Sequence, residues 1–174
     1  MKSRVFQLWN RSQLRGFRPR IHGLLPLVSG EGRLVIGPGC LFRSFRLRPS
    51  FHVDKGAVLE FGAGVFVNDG VNICATVGIR IGAGTKIGDM TYIYDSNFHE
   101  TEPGSAVHQR PVFIGDNVWL AANCKILAGA IIGDHTIIEA NSVVSGEIPA
   151  RSVAGGVPAR VIRQFEAPEG WVRS

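Results

Sequence analysis

Large aliphatic residues return every six positions through the second half of the chain. They are Ile114, Leu120, Ile126, Ile132, Ile138 and Val144. Small residues hold the fifth place of the same hexads, namely Val118, Cys124, Ala130, Thr136 and Ser142. A helix repeats about every 3.6 residues and a strand about every 2, so neither alone explains this period. Three hexads per turn predict a triangular solenoid of short strands, in which one aliphatic side chain per strand points inward.

The same phase continues towards the N-terminus in three earlier sets. They are Ile81, Ile87 and Ile93; Phe61, Val67 and Ile73; and Leu41, Leu47 and Val53. A β-sandwich, which turns about every 8–12 residues, does not produce so regular a phase. The period alone does not give the handedness of the solenoid, and the general rule for parallel crossovers favours a right-handed one.

Composition limits the class of protein. The chain has 174 residues, of which 45% are hydrophobic and 19% charged, as in a single globular domain. Three cysteines without a paired spacing favour a reducing compartment over a disulfide scaffold or a structural zinc site. The N-terminus lacks an apolar signal region, and no apolar run is long enough to span a membrane. We therefore expect a cytoplasmic protein.

Positive charge is concentrated at the two ends of a chain whose formal net charge is +5. The simplest interpretation is solvated charge. The alternatives are an anionic ligand at the C-terminal arginines and a membrane surface or polyanionic substrate at the N-terminal ones. Nucleic acid is not expected, because the middle of the chain lacks interleaved basic and aromatic residues.

The segment 114–163, "IGDNVWLAANCKILAGAIIGDHTIIEANSVVSGEIPARSVAGGVPARVIR", resembles the hexapeptide-repeat acyltransferases. The closest branch is that of galactoside, maltose and polysaccharide O-acetyltransferases, and "FVNDGVNICATVGIRIGAGTKIGD" at 66–89 is similar to it. The resemblance implies an all-β left-handed parallel β-helix, a short C-terminal helix, and a homotrimer with active sites between subunits. We accordingly expect a basic segment at 1–34, the β-helix at 35–149 and a turn, helix and tail at 150–174.

The hexad phase fails over "YDSNFHETEPGSAVHQRPVF", which predicts a loop ejected at about 94–113. Such a loop has no packing role, which favours a functional one. Acyl transfer from a thioester to a hydroxyl needs a base whose pKa lies near neutral pH, and imidazole is such a base. The resemblance implies that His99 is that base and that Asp95 orients it. We expect His108 at the loop tip and a structural or exposed role for His22, His52 and His135.

The resemblance also implies acetyl-CoA as acyl donor, with no metal. Its pantetheine arm is expected along Ala122 and Ala140, and its phosphates at Arg160 and Arg163. The matching positions are Ala122, Ala140, Ser145, Gly146, Arg160 and Arg163. Asn68 matches a residue that contacts the acceptor, although an asparagine at a solenoid corner is an equal alternative. Trp119 follows a fifth hexad place and should point outward, to be covered by a subunit interface or the donor groove.

We therefore expect an acetyl-CoA-dependent enzyme that acetylates a sugar hydroxyl, for example in surface polysaccharide biosynthesis. An antibiotic O-acetyltransferase with the same base, an amine acceptor, and a non-catalytic solenoid scaffold stay open. A zinc carbonic anhydrase on the same solenoid requires three converging histidines, and no H-x4-H pair exists in the sequence.

Overall fold

The computed structural model describes residues 2–9 and 12–173. A short helix, α1 (Lys2–Trp9), precedes a triangular solenoid whose successive coils contribute strands in turn to three sheets, A, B and C, and these strands pair in parallel from coil to coil. This confirms the predicted all-β left-handed parallel β-helix. No helix among the described residues is long and apolar enough to cross a membrane.

The strands follow the same order in every coil. Sheet A contains β1 (Leu14–Gly16), β4 (Arg33–Ile36), β7 (Val58–Phe61), β10 (Ile79–Ile81), β13 (Val112–Ile114), β16 (Ile131–Ile132) and β19 (Glu147–Ile148). Sheet B contains β2 (Arg20–Gly23), β5 (Leu41–Ser44), β8 (Phe66–Val67), β11 (Lys86–Ile87), β14 (Trp119–Leu120), β17 (Ile137–Ile138), β20 (Ser152–Gly156) and β21 (Ala159–Gln164). Sheet C contains β3 (Leu27–Gly30), β6 (Ser50–Val53), β9 (Asn72–Ala75), β12 (Tyr92–Tyr94), β15 (Lys125–Ile126) and β18 (Val143–Val144). The corners define three edges of the prism, which we name A–B, B–C and C–A.

Stacked side chains of successive coils form the core. On sheet A, Ile81 pairs with Ile114 and Ile114 with Ile132, and all three are at most 3% exposed. On sheet B, Leu120 stacks on Ile138 in the same way. Each such burial contributes roughly 1.5–3 kcal/mol. The six-residue period thus places one aliphatic side chain of each strand in the interior.

Aromatic rings fill the N-terminal end of the core. The rings of Phe42, Phe51 and Phe61 lie 5.3–5.5 Å apart, centroid to centroid. Phe6 of α1 packs edge-on against Phe42 at 6.3 Å and is 1% exposed. Because a solenoid needs a cap where its core would otherwise meet water, Phe6 makes α1 that cap.

The early hexad phase was wrong at Leu41 and Leu47. Phe42 and Phe51 are the inward residues, both fully buried, whereas Leu47 is 50% exposed. The corner between β5 and β6 holds residues 45–49, which makes the step from Phe42 to Phe51 nine residues instead of six. Extra corner residues shift the phase without disturbing the parallel pairing.

The solenoid also begins earlier than residue 35. Strands β1, β2 and β3 already form a coil, in which Leu14 pairs with Leu34 and Ile21 with Phe42. Part of the predicted basic segment, 1–34, therefore belongs to the β-helix.

The predicted C-terminal helix was wrong. Within 150–173 the chain forms an antiparallel hairpin of β20 and β21. β21 pairs with the last strand of sheet B, whose backbone groups would otherwise lie unpaired at the end of the solenoid. The branched residues Val161 and Ile162 favour a strand there.

Candidate functional site

The ejected loop begins at a buried carboxylate. Asp95 directly follows β12 and is fully buried. Its Oδ1 accepts hydrogen bonds from the amide (2.7 Å) and hydroxyl (2.8 Å) of Thr76, and its Oδ2 from the amides of Val77 (2.8 Å) and Gly78 (2.7 Å). These bonds fix the start of the loop to the C–A corner of the preceding coil. They also revise the expected role of Asp95, because both oxygens are taken by residues 76–78 and no hydrogen bond joins Asp95 to His99 in the described chain.

The rest of the loop base is a narrow antiparallel ribbon. Ser96 bridges to Gln109, and the Asn97 amide donates to the His108 carbonyl at 3.0 Å. The Arg110 amide donates to the Asp95 carbonyl, also at 3.0 Å. The backbone of His108 therefore lies in the stem, and the turn at the far end is formed by Glu102 to Ser105, contrary to the expectation that His108 is at the tip.

His99 lies two residues beyond the last hydrogen bond of this stem. The preceding residue, Phe98, has a left-handed backbone (φ 63°), and its amide donates to the Ser96 hydroxyl at 3.0 Å. The Phe98 ring packs edge-on against Tyr94 at 5.6 Å. His99 itself is exposed, and within residues 2–9 and 12–173 its imidazole has no hydrogen-bond partner. Both ring nitrogens are therefore available to a substrate.

An aromatic cluster missed by the sequence reasoning covers the outer face of sheet C. Tyr92 packs edge-on against Tyr94 at 5.8 Å, and the Lys125 ammonium lies 4.4 Å from the centre of the Tyr92 ring. The Tyr94 hydroxyl donates to Asn72 Oδ1 at 3.2 Å. Burial raises the pKa of Tyr94, so its hydroxyl stays a donor at neutral pH. The sequence did contain a signal for this cluster: Tyr92 and Tyr94 flank the inward Ile93, so both outward positions of the strand are aromatic.

Asn68 lies at the end of β8, where the B–C corner begins. It is half-buried, and its Oδ1 accepts from Arg43 Nε at 3.2 Å. Sheet C separates this corner from the C–A edge that carries His99. One chain therefore does not place the two predicted acceptor-site residues side by side.

The B–C edge carries the predicted donor alanines in register. The Asn141 amide donates to the Ala122 carbonyl at 3.0 Å, which places Ala122 and Ala140 in equivalent positions of successive coils. Both are exposed, and neither carries a side chain beyond Cβ. The hairpin closes the upper end of this edge, because the Gly156 amide donates to the Ser142 hydroxyl at 3.1 Å. The two small residues are therefore stacked along this edge, directly below the hairpin.

Register puts the two predicted arginines on one face. Arg160 pairs with Gly155 and Arg163 with Val153, while the register shift between Val153 and Ala154 inserts one extra residue in β21. Residues three apart on a regular strand point to opposite faces, and an extra bulged residue restores the same face. Both side chains thus lie on the outer side of sheet B, and their Cα atoms are roughly 7 Å apart along the strand, opposite residues that are two apart.

Ser145 and Gly146 lie at a different edge of the coil that contains Ala140. They follow β18 on the C–A edge and are exposed, whereas Ala140 precedes β18 on the B–C edge. The structure therefore brings Ala122, Ala140 and the hairpin together and leaves Ser145 and Gly146 one short strand away. No three His, Cys, Asp or Glu side chains in the described part of the chain are grouped to hold a metal ion.

Residues 111–146 match the family model described as "Bacterial transferase hexapeptide (six repeats)". WbbJ of Escherichia coli (strain K12), whose name describes it provisionally as a lipopolysaccharide biosynthesis O-acetyl transferase, is 38% identical over 120 residues, or 62% of this chain and 61% of that protein. Galactoside O-acetyltransferase of the same strain is 30% identical over 122 residues, covering 68% of this chain and 60% of that protein. The chain therefore spans about three fifths of the length of these two relatives.

Solved structures show the same fold. The hexapeptide-repeat acetyltransferase VCA0836 of Vibrio cholerae, complexed with acetyl coenzyme A, gives a TM-score of 0.66 at 21% identity and covers 96% of this chain and 79% of that one. A galactoside acetyltransferase in complex with coenzyme A gives 0.58 at 21% identity, with 98% and 76% covered.

The match to nodulation protein L of Rhizobium meliloti (strain 1021) extends over more than two thirds of that relative. The two chains are 36% identical over 135 residues, which are 75% of this chain and 70% of that protein. With the six-residue period, the triangular coils and the family match, this similarity shows that the chain belongs to the hexapeptide-repeat transferase family.

Proposed function

We propose that this protein is an acetyl-CoA-dependent O-acetyltransferase that acts on a sugar hydroxyl in the synthesis of a surface polysaccharide. One observation carries the proposal: the exposed His99 imidazole, which has no hydrogen-bond partner among the described residues, stands on a ribbon whose base is fixed by a fully buried carboxylate with four hydrogen bonds. The named O-acetyltransferases among its relatives support the reaction class.

His99 acts as the general base. Its neutral imidazole takes the proton of the acceptor hydroxyl as that oxygen attacks the thioester carbonyl carbon. The carbon–sulfur bond then breaks, and the leaving thiolate takes up the proton to give free coenzyme A. Because the thioester is already activated, no covalent enzyme intermediate is needed.

The donor lies along the B–C edge. The stacked Ala122 and Ala140 accept the pantetheine arm, because a longer side chain at either place would block it. The guanidinium groups of Arg160 and Arg163 hold the phosphates, a role suited to planar cations with several donors. Ser145 and Gly146 contact the donor from the C–A side of β18.

The acceptor site is shared between subunits of a homotrimer. His99 and Asn68 lie at opposite sides of sheet C, so a neighbouring copy is required to bring a base and an acceptor-binding asparagine to one hydroxyl. Trp119, 43% exposed on the outer face of sheet B, supplies apolar surface for such an interface. The three described free cysteines fit a reducing compartment, and we place the reaction in the cytoplasm.

The test is thiol release from acetyl-CoA with a panel of sugars, nucleotide sugars, amino sugars and hydroxylated antibiotics. A sugar-dependent signal should fall about 10²–10⁴-fold in His99→Ala. His22→Ala, an exposed histidine on β2, is the matched control and should retain activity. Full activity of His99→Ala would overturn the assignment of the base, and a signal only with an antibiotic or an amine would overturn the acceptor class. Failure to bind acetyl-CoA at all would favour a scaffold.

A further inference from the structure

The C-terminal tail returns to the body of the solenoid after β21. The Phe165 amide donates to the Arg151 carbonyl at 2.9 Å in the last coil. The Trp171 ring then stacks on His135 in the coil before it, with centroids 5.8 Å apart and an interplanar angle of 34°. The tail therefore runs down the A–B edge over successive coils.

Asn117 is the main attachment point of this tail. It is 4% exposed, its Nδ2 donates to the Trp171 carbonyl at 3.1 Å, and its Oδ1 accepts from the Arg173 amide at 2.8 Å. Asn123 and Asn141, which have the same left-handed backbone on the B–C edge, are exposed and hydrogen-bond to each other instead. Asn117 thus differs from other corner asparagines in using its side-chain amide to bind tail backbone.

A chain of ring contacts connects this attachment to Arg163. Trp171 packs edge-on against Phe165 at 6.4 Å, and the Arg163 guanidinium carbon lies 5.9 Å from the centre of the Phe165 ring. Among the described residues the Arg163 guanidinium makes no hydrogen bond or ion pair, so its N–H donors remain free for a ligand. A long side chain supported by a fixed ring loses less conformational entropy when it binds.

We propose that residues 165–173 form a clasp that positions Arg163 for the phosphates of the acyl donor, with Trp171 as the positioning residue. This inference rests on the donor site of the proposed function. A tail that only capped the solenoid would change thermal stability and leave donor affinity unaltered.

The experiment measures the Kd of coenzyme A by calorimetry for the wild type, Trp171→Ala, Arg163→Ala and the double variant, each checked for its melting temperature. We expect Trp171→Ala to raise Kd roughly 2–10-fold, the size of one immobilised side chain. The double variant should bind no more weakly than Arg163→Ala, because Trp171 acts through Arg163. Trp171→Phe should bind nearly as the wild type does.

Phe165→Leu keeps the backbone attachments of the tail and removes the ring that lies beneath Arg163 and beside Trp171, so it should also raise Kd even if Trp171→Ala does not fold. Unchanged Kd in both Phe165→Leu and Trp171→Ala, or fully additive effects in the double variant, would overturn the clasp while the donor site stands. Unchanged Kd in Arg163→Ala would place the failure in the proposed donor site and remove the inference with it.

Discussion

Replacing Asp95 by asparagine should loosen the base of the ejected loop. The carboxylate accepts two hydrogen bonds on each oxygen, whereas an amide has one oxygen, so two bonds are lost and the new NH2 group faces N–H or O–H donors. Hydrogen bonds to a charged group contribute about 1.5–3 kcal/mol each, which gives roughly 3–6 kcal/mol for two. Because a neutral amide is easier to bury than a charge, we expect the free energy of unfolding to fall by about 3 kcal/mol, the lower end of this range.

The assay combines melting temperature, hydrogen exchange and acetyl transfer. For a chain of this size about 1 kcal/mol corresponds to a shift of about 2–4 °C, so Asp95→Asn should melt roughly 6–12 °C lower. Amides of Val77 and Gly78 should exchange faster, and turnover should fall because His99 loses its fixed mount. Thr76→Val is the control, since it removes one hydroxyl donor and leaves three backbone bonds. Wild-type melting and exchange in Asp95→Asn would refute the anchoring role.

Three further changes test other parts of the structure. Ala140→Phe should weaken coenzyme A binding at least about tenfold with little loss of stability, because the residue is exposed on the proposed path of the donor. An unaltered affinity in calorimetry would contradict that path. Phe6→Ala should destabilise the fold by about 3–5 kcal/mol by opening a cavity at the N-terminal end, and an unchanged melting curve would argue against α1 as a cap. Burial raises the pKa of the Cys124 thiol to about 11. Burial and the nearby Asp54 and Asp95 carboxylates raise the pKa of the Cys74 thiol to about 11 as well. Iodoacetamide should therefore label both thiols slowly at pH 8 and faster only as the pH approaches 11, and rapid labelling at pH 8 in a folded sample would contradict this.

The sequence predicted the fold best where the coils have constant length. From Ile114 to Val144 every corner takes the same number of residues, so counting in sixes identified each inward side chain. The count failed at Leu47, because residues 45–49 lengthen one corner and sequence period cannot distinguish a longer corner from a shifted strand. The C-terminal segment was misassigned because the resemblance implied a helix, whereas β21 extends sheet B.

The site was predicted less completely, because its contacts join residues that are distant in sequence. The loop and His99 could be located from the break in the hexads. The partner of Asp95 could not, since its three backbone donors lie one coil earlier, at residues 76–78. Likewise Trp171 stands in a short polar tail, and nothing in its local sequence indicates that Asn117 binds the backbone on both sides of Val172.

The distribution of the candidate residues over the edges argues for an assembly as the active unit. The alanines of the proposed donor site and Asn68 lie on the B–C edge, and His99 lies on the C–A edge, beyond the tyrosines of sheet C. A rigid prism cannot fold one edge onto another, because the strands of each coil pair with those of the coils on either side. A donor held at the B–C edge therefore meets a base only if the C–A edge of a second copy approaches it. Trp119→Glu should then give a monomer in solution that binds coenzyme A and does not transfer acetyl groups; light scattering and the transfer assay would show this together, and a fully active monomer would disprove the shared site.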